Sequence, residues 1–122
     1  MASQQIDRAR WAPFFDNITK SLAGKQAQIE VASLDLGDQI EARWVPLIGI
    51  TYDRRNDLVE IALGKLDHLI RSPREVFADL DVGGLVAFAI TDADGNRQIV
   101  RLKDPLSLPA PSAASGASLG VR

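Results

Sequence analysis

The sequence predicts an α+β fold: one N-terminal amphipathic helix packed on a curved, mostly antiparallel sheet of about six or seven strands, with partial closure into a barrel left open. Three observations carry this expectation. Apolar residues recur at helical spacing once, near the N-terminus. From Gly24 onward, short runs rich in Val, Ile and Ala alternate with Gly, Asp, Asn and Pro. No second helical stretch supplies the crossovers that parallel strands require. At 122 residues the chain has the length of a single domain with one core.

The helix rests on Trp11, Phe14, Phe15, Ile18 and Leu22, which fall on one stripe at 3.6-residue spacing. Asp7 is the expected N-cap, Ile6 the hydrophobic staple before it, and Gly24 the left-handed residue that closes the far end. Pro13 lacks a backbone donor, so an initial turn is expected, with the main helix running from about Pro13.

Strands are expected over 26–34, 39–52, 57–63, 67–71, 75–80, 85–92 and 97–103. In the second, Ile40, Ala42 and Trp44 share one face and Glu41 and Arg43 the other, while Pro46 and Gly49 imply a bend in a long ribbon. Hairpins are expected at Asp53–Asp57, Asp81–Gly84 and Asp92–Asn96, each with residues that tolerate positive φ. Residues 1–104 form the single α+β domain. From Pro105 to Arg122 the chain is rich in Pro, Ala and Ser and reads as a disordered tail, from which Leu106 and Leu108 are able to dock on a sheet edge.

A net charge of −2 and a pI near 5.3 speak against nucleic acid as a partner, since phosphate binding depends on clustered Lys and Arg. The densest basic pair outside the N-terminus, Arg54-Arg55, is flanked by Asp53 and Asp57, as in a solvated turn. An oligonucleotide-binding barrel would have Trp44 and Tyr52 for stacking, without a basic lining to accompany them. No apolar run is long enough to span a bilayer and the first residues lack a signal-peptide pattern, so a cytoplasmic, membrane-free protein is expected. With no cysteine, thiolate catalysis, disulfides and zinc–sulfur sites are excluded.

Chemistry has few residues to work with. His68 is the one histidine, within Asp67-His68-Leu69-Ile70-Arg71-Ser72-Pro73. Asp67 beside His68 suggests an oriented imidazole for proton transfer, yet neighbouring strand side chains point to opposite faces, so a structural or surface histidine is the expectation. No catalytic residue is assigned, and His68, Asp67 and Arg71 are the nearest to candidates. Asp92-Ala93-Asp94-Gly95-Asn96 loosely resembles a calcium loop, but Gly is misplaced and Lys103 stands where the closing Glu belongs, so a hairpin turn is expected. Glu30, Glu41, Glu60 and Glu75 lie on expected strands and in principle offer a carboxylate pair, although their apolar alternation fits a half-exposed sheet. No metal and no cofactor are expected.

Arg8-x-x-Trp11-x-x-Phe14-Phe15-Asp16, taken with Asp67-His68-Leu69-Ile70-x-x-Pro73 and the segment Asp92–Leu102, resembles a family of small bacterial proteins of unknown function. The likeness covers most of residues 6 to 104. It implies a bacterial origin and a shared fold, and brings no activity, cofactor or catalytic residue with it. The leading expectation is therefore a non-catalytic interaction or accessory module whose partner is an unidentified protein or a second copy meeting it at exposed strand edges. The alternative is a small-ligand-binding protein or hydrolase-type enzyme using His68 with nearby carboxylates.

Overall fold

The apolar stripe forms the expected helix, but it starts earlier. In the computed structural model, which describes residues 2–22, 24–33, 37–64 and 67–107, a 3-10 turn over Arg8–Arg10 leads directly into α1, Trp11–Lys20. Pro13 lies within the first turn of α1, where backbone N–H groups have no intrahelical partner to lose. Asp7 caps through its backbone: its carbonyl accepts from the Arg10 N–H at 2.8 Å, and its side chain makes no cap bond. Ile6 is buried and its carbonyl accepts the Trp11 indole N–H at 2.9 Å, which fixes how the chain enters the helix. The helix closes earlier than expected, at Lys20 with Ser21 as its C-cap, so Gly24, left-handed at φ 79°, does not cap it but lies in the turn where the Lys25 N–H meets the Leu22 carbonyl.

Among the described residues eight strands pair antiparallel: β1 Ala2–Ile6, β2 Gln26–Ser33, β3 Gly37–Asp53, β4 Leu58–Leu63, β5 Asp67–Arg71, β6 Pro73–Asp81, β7 Gly84–Asp92 and β8 Arg97–Leu106. Their order is β1-β6-β7-β8-β2-β3-β4-β5, with β1 and β5 as edges, so the sheet is open and the option of a closed barrel is not realised. The strand count exceeds the expected six or seven because β1, Ala-Ser-Gln-Gln-Ile, has almost no apolar alternation to announce it. Its pairing partner β6 supplies the order.

Two strands turn corners between the sheet's two parts. β3 pairs with β2 as far as Pro46 and with β4 from Leu47 onward, which makes it the long bent ribbon that Pro46 foreshadowed. β5 leaves β4 at Arg71, and after Ser72 the chain continues as β6 against β7. Both corners carry a non-glycine residue in the left-handed region, Trp44 (φ 47°) and Ser72 (φ 53°), and the β3–β4 hairpin carries a third, Asp57 (φ 50°). Each such residue costs about 1–2 kcal/mol and persists only where surrounding pairing over-determines it.

The fold of the sheet encloses one core, which α1 covers. Trp11, Phe14, Phe15, Ile18 and Leu22 are all buried. Phe14 and Phe15 pack on Phe88 of β7, with ring centroids 6.5 Å and 5.9 Å away, and Trp11 meets Tyr52 of β3 edge-on at 5.1 Å. β8 runs past Pro105 to Leu106, which is buried, so the docking of Leu106 that the sequence allowed takes place. The rest of the expected tail, residues 108–122 with Leu108, lies outside the described residues.

Candidate interaction surface

The three residues nearest to a catalytic candidacy are not brought together. Along β5, Asp67, Leu69 and Arg71 are exposed, whereas His68 is half-buried and Ile70 buried, the alternation expected of a strand with one face on the core. His68 Nε2 hydrogen-bonds the side-chain amide of Gln98 on β8. Gln98 is itself only 7% exposed, so this contact links two distant strands across the interior. Asp67 instead meets Glu60 of β4 on the outer face, and Glu60 is pushed above its ordinary value by the hydrogen bond and then by the charge of Asp67. Among the other expected carboxylates, Glu30 lies 3.7 Å from Arg101.

A polar corner unites parts that the sequence keeps far apart. Arg8 donates to Tyr52 Oη (3.1 Å), Asp57 Oδ1 (3.3 Å) and the Pro73 carbonyl (3.0 Å), and its guanidinium stacks 4.4 Å from the Trp11 ring. Tyr52 donates to Asp57 at 2.8 Å, and the Asp57 carbonyl accepts the Ser72 N–H at 2.9 Å. Burial, followed by the hydrogen bond to Asp57, raises the Tyr52 hydroxyl above its ordinary value. Arg8 thus spends three N–H contacts on the protein, and the corner ties the N-terminal segment to two of the left-handed residues, Asp57 and Ser72. Tyr52 is buried here, which leaves Trp44 as the exposed member of the pair available for stacking.

The turns account for other suggestive residues. Asp92 accepts the Asp94 N–H (2.9 Å) and Asn96 N–H (3.0 Å) and meets the Asn96 amide (3.3 Å), while Gly95 takes φ 85°, so its carboxylate serves the hairpin. A cleft of about 160 Å³ between Val31, Ser33, Gly37, Gln39 and Asn96 has no ionisable side chain among the described residues of its lining.

The most unusual surface is β3. Beyond Pro46 its backbone is covered on both sides: β4 pairs with one, and on the other Thr19 Oγ1 accepts the Ile50 N–H at 3.0 Å and lies 3.1 Å from the Ile50 carbonyl, while the Lys25 carbonyl takes the Leu47 N–H. A threonine hydroxyl on α1 thereby substitutes for a neighbouring strand. Before Pro46 the situation differs. β2 pairs with one side of Gly37–Pro46, and among the described residues no strand pairs with the other. This stretch and the bend beyond it expose Ile40 (40%), Trp44 (37%) and Ile48 (59%). Large apolar groups on an open strand edge at a strained bend are the arrangement that folded proteins ordinarily avoid unless the edge is used.

The family model for a family of unknown function, DUF5335, matches residues 2–111. The chain belongs to this family. It is also similar to an uncharacterized protein of Aquifex aeolicus (strain VF5), 36% identical over 110 residues that make up 89% of this chain and 99% of the relative. No solved structure matches the chain. The expected membership in a small bacterial family of unknown function is thus met, and the matched span includes β1, to which the sequence assigns no strand, and the end of β8, which it places in the tail. Sequence reasoning also missed the Arg8–Tyr52–Asp57 corner and the role of Thr19. Arg8 stood in the quoted motif, but nothing in the spacing connected it to Asp57.

Proposed function

We propose that this family member is a non-catalytic interaction protein that meets its partner along the open edge of β3, from Gly37 to Val45. The observation that carries the reading is the concentration of exposed Ile40 and Trp44 on an edge with no described strand beside it, next to exposed Ile48 at the bend. A partner strand laid there would satisfy the backbone groups and cover the apolar side chains together, the mode of recognition that extends a sheet. The placement of Trp44 supports it too, since a large aromatic held in a fixed, unfavourable backbone conformation loses little freedom on binding.

Site-specific photo-crosslinking in the native host tests the proposal. A benzophenone side chain at position 40 is expected to yield discrete covalent adducts, whereas the same group at Asp16, on the exposed side of α1, yields none. Equal labelling from both positions, or no adduct from position 40, would overturn the reading.

A further inference from the structure

The edge strand β5 is complementary to itself. We propose that it pairs antiparallel with β5 of a second copy of this chain, about a two-fold axis at Leu69, on a surface separate from the β3 edge. β5 is the last strand in the sheet order and pairs with β4 alone, in a register without shifts. It is a straight ladder with one side open, which is what a further strand needs.

The direction of its backbone groups follows from one bond. The Ser72 N–H donates to the Asp57 carbonyl, and these two residues stand opposite each other when the β4–β5 register is continued by one step. Hydrogen-bonded and non-hydrogen-bonded pairs alternate along an antiparallel ladder, so Ile70 and His68 also turn their N–H and C=O toward β4. Asp67, Leu69 and Arg71 therefore turn theirs to the open side, where no described residue bonds them. Ile50 agrees with this phase: it stands opposite Ile61, and its own N–H and C=O face Thr19 and not β4.

The side chains of the same three residues fit the same axis. Asp67 falls opposite Arg71 of the second copy and Arg71 opposite its Asp67, while Leu69, 43% exposed, meets its own counterpart. Both ion pairs and the apolar contact form together, as an isologous interface requires. Charges on an edge ordinarily keep other strands away. Opposite signs at equal distances from a central leucine still repel a strand of the wrong pattern, but they attract a copy of themselves. The axis also relieves a crowding within the chain: Asp67 and Glu60 meet each other with no ion pair to either among the described residues, and the second copy brings Arg71 to Asp67. Ser72, left-handed at φ 53°, and Pro73, which has no N–H, end the paired segment.

Sedimentation velocity of the full chain, with residue-resolved amide exchange, tests the pairing over a concentration series up to about 1 mM, the range in which a short ladder assembles. The unaltered chain is expected to dimerise as its concentration rises, with exchange slowing at Asp67, Leu69 and Arg71. His68 and Ile70, whose amides already face β4, should not respond. Asp67→Arg and Arg71→Asp each set like charges opposite one another twice and should weaken the dimer by about tenfold or more, with circular dichroism unchanged. An equimolar mixture of the two variants should recover a mixed dimer, and D67R/R71D should dimerise alone, which separates lost pairing from lost folding. Three results overturn the inference: an unaltered chain that stays monomeric at the highest concentration, single variants that dimerise as it does, or a dimer in which those three amides exchange as fast as in the monomer.

Discussion

At the scale of single residues, polar side chains at unobtrusive positions hold the fold where strands do not. Thr19 is the clearest, because it lies on the exposed side of α1 and its hydroxyl partners the backbone of Ile50. Thr19→Val keeps the shape and removes the partner, and a loss of about 1 kcal/mol is expected in denaturant unfolding, with Thr19→Ser close to the unaltered chain. Nothing in the helical periodicity marks Thr19, since periodicity reports apolar contacts and is silent about a hydroxyl reaching a strand 31 residues away. His68 was conspicuous in the sequence for its rarity, and alternation along β5 correctly put it on the opposite face from Asp67. What alternation could not supply was Gln98, a contact set by tertiary wrapping. His68→Leu and Gln98→Leu should each cost about 1–3 kcal/mol by stranding the other partner, and the double variant should cost less than their sum.

At the scale of elements, the corners and ladders determine where stability is sensitive. Ser72 in the left-handed region links β5 to β6, and its N–H is bonded to Asp57. Ser72→Val places a β-branched residue in that conformation and should lower the unfolding free energy by about 1–3 kcal/mol, whereas Ser72→Gly should not. On the outer face of β4 and β5, Glu60 has its carboxyl raised by Asp67. A group raised in the folded state stabilises fully below the ordinary glutamate range and loses that contribution as pH climbs through the folded value. Asp53, held below its ordinary value by its bonds to Asn56, acts in the opposite direction, so the Glu60 contribution is read as a difference: relative to Asp67→Asn, the unaltered chain should lose thermal stability as pH rises from below the glutamate range to neutrality. Glu60 and Asp67 were visible individually as strand carboxylates, but their meeting depends on the β4–β5 register, which places Asp67 diagonally from Glu60.

At the scale of the whole molecule, the helix stripe, the bend of β3 and the turn residues already implied one helix on a curved antiparallel sheet. Those signals are local, and local signals survive tertiary context. Strand order, the open edge and β1 depend on long-range pairing, for which Ala2–Ile6 has too little pattern of its own. The surface we single out was half legible: the sequence places Ile40 and Trp44 on one long ribbon, yet the register shifts on both sides of Ala42, and the pairing of β4 only from Leu47, which leaves one side of the preceding stretch without a described strand, emerge from the fold alone. The most direct test is amide hydrogen exchange of the isotopically labelled chain, dilute in buffer and then in extract of the native host. Slower exchange in extract, confined to Gln39–Val45, is the expected result. Exchange there that is identical in both, with slowing confined to the β1 or β5 edge, would contradict the account.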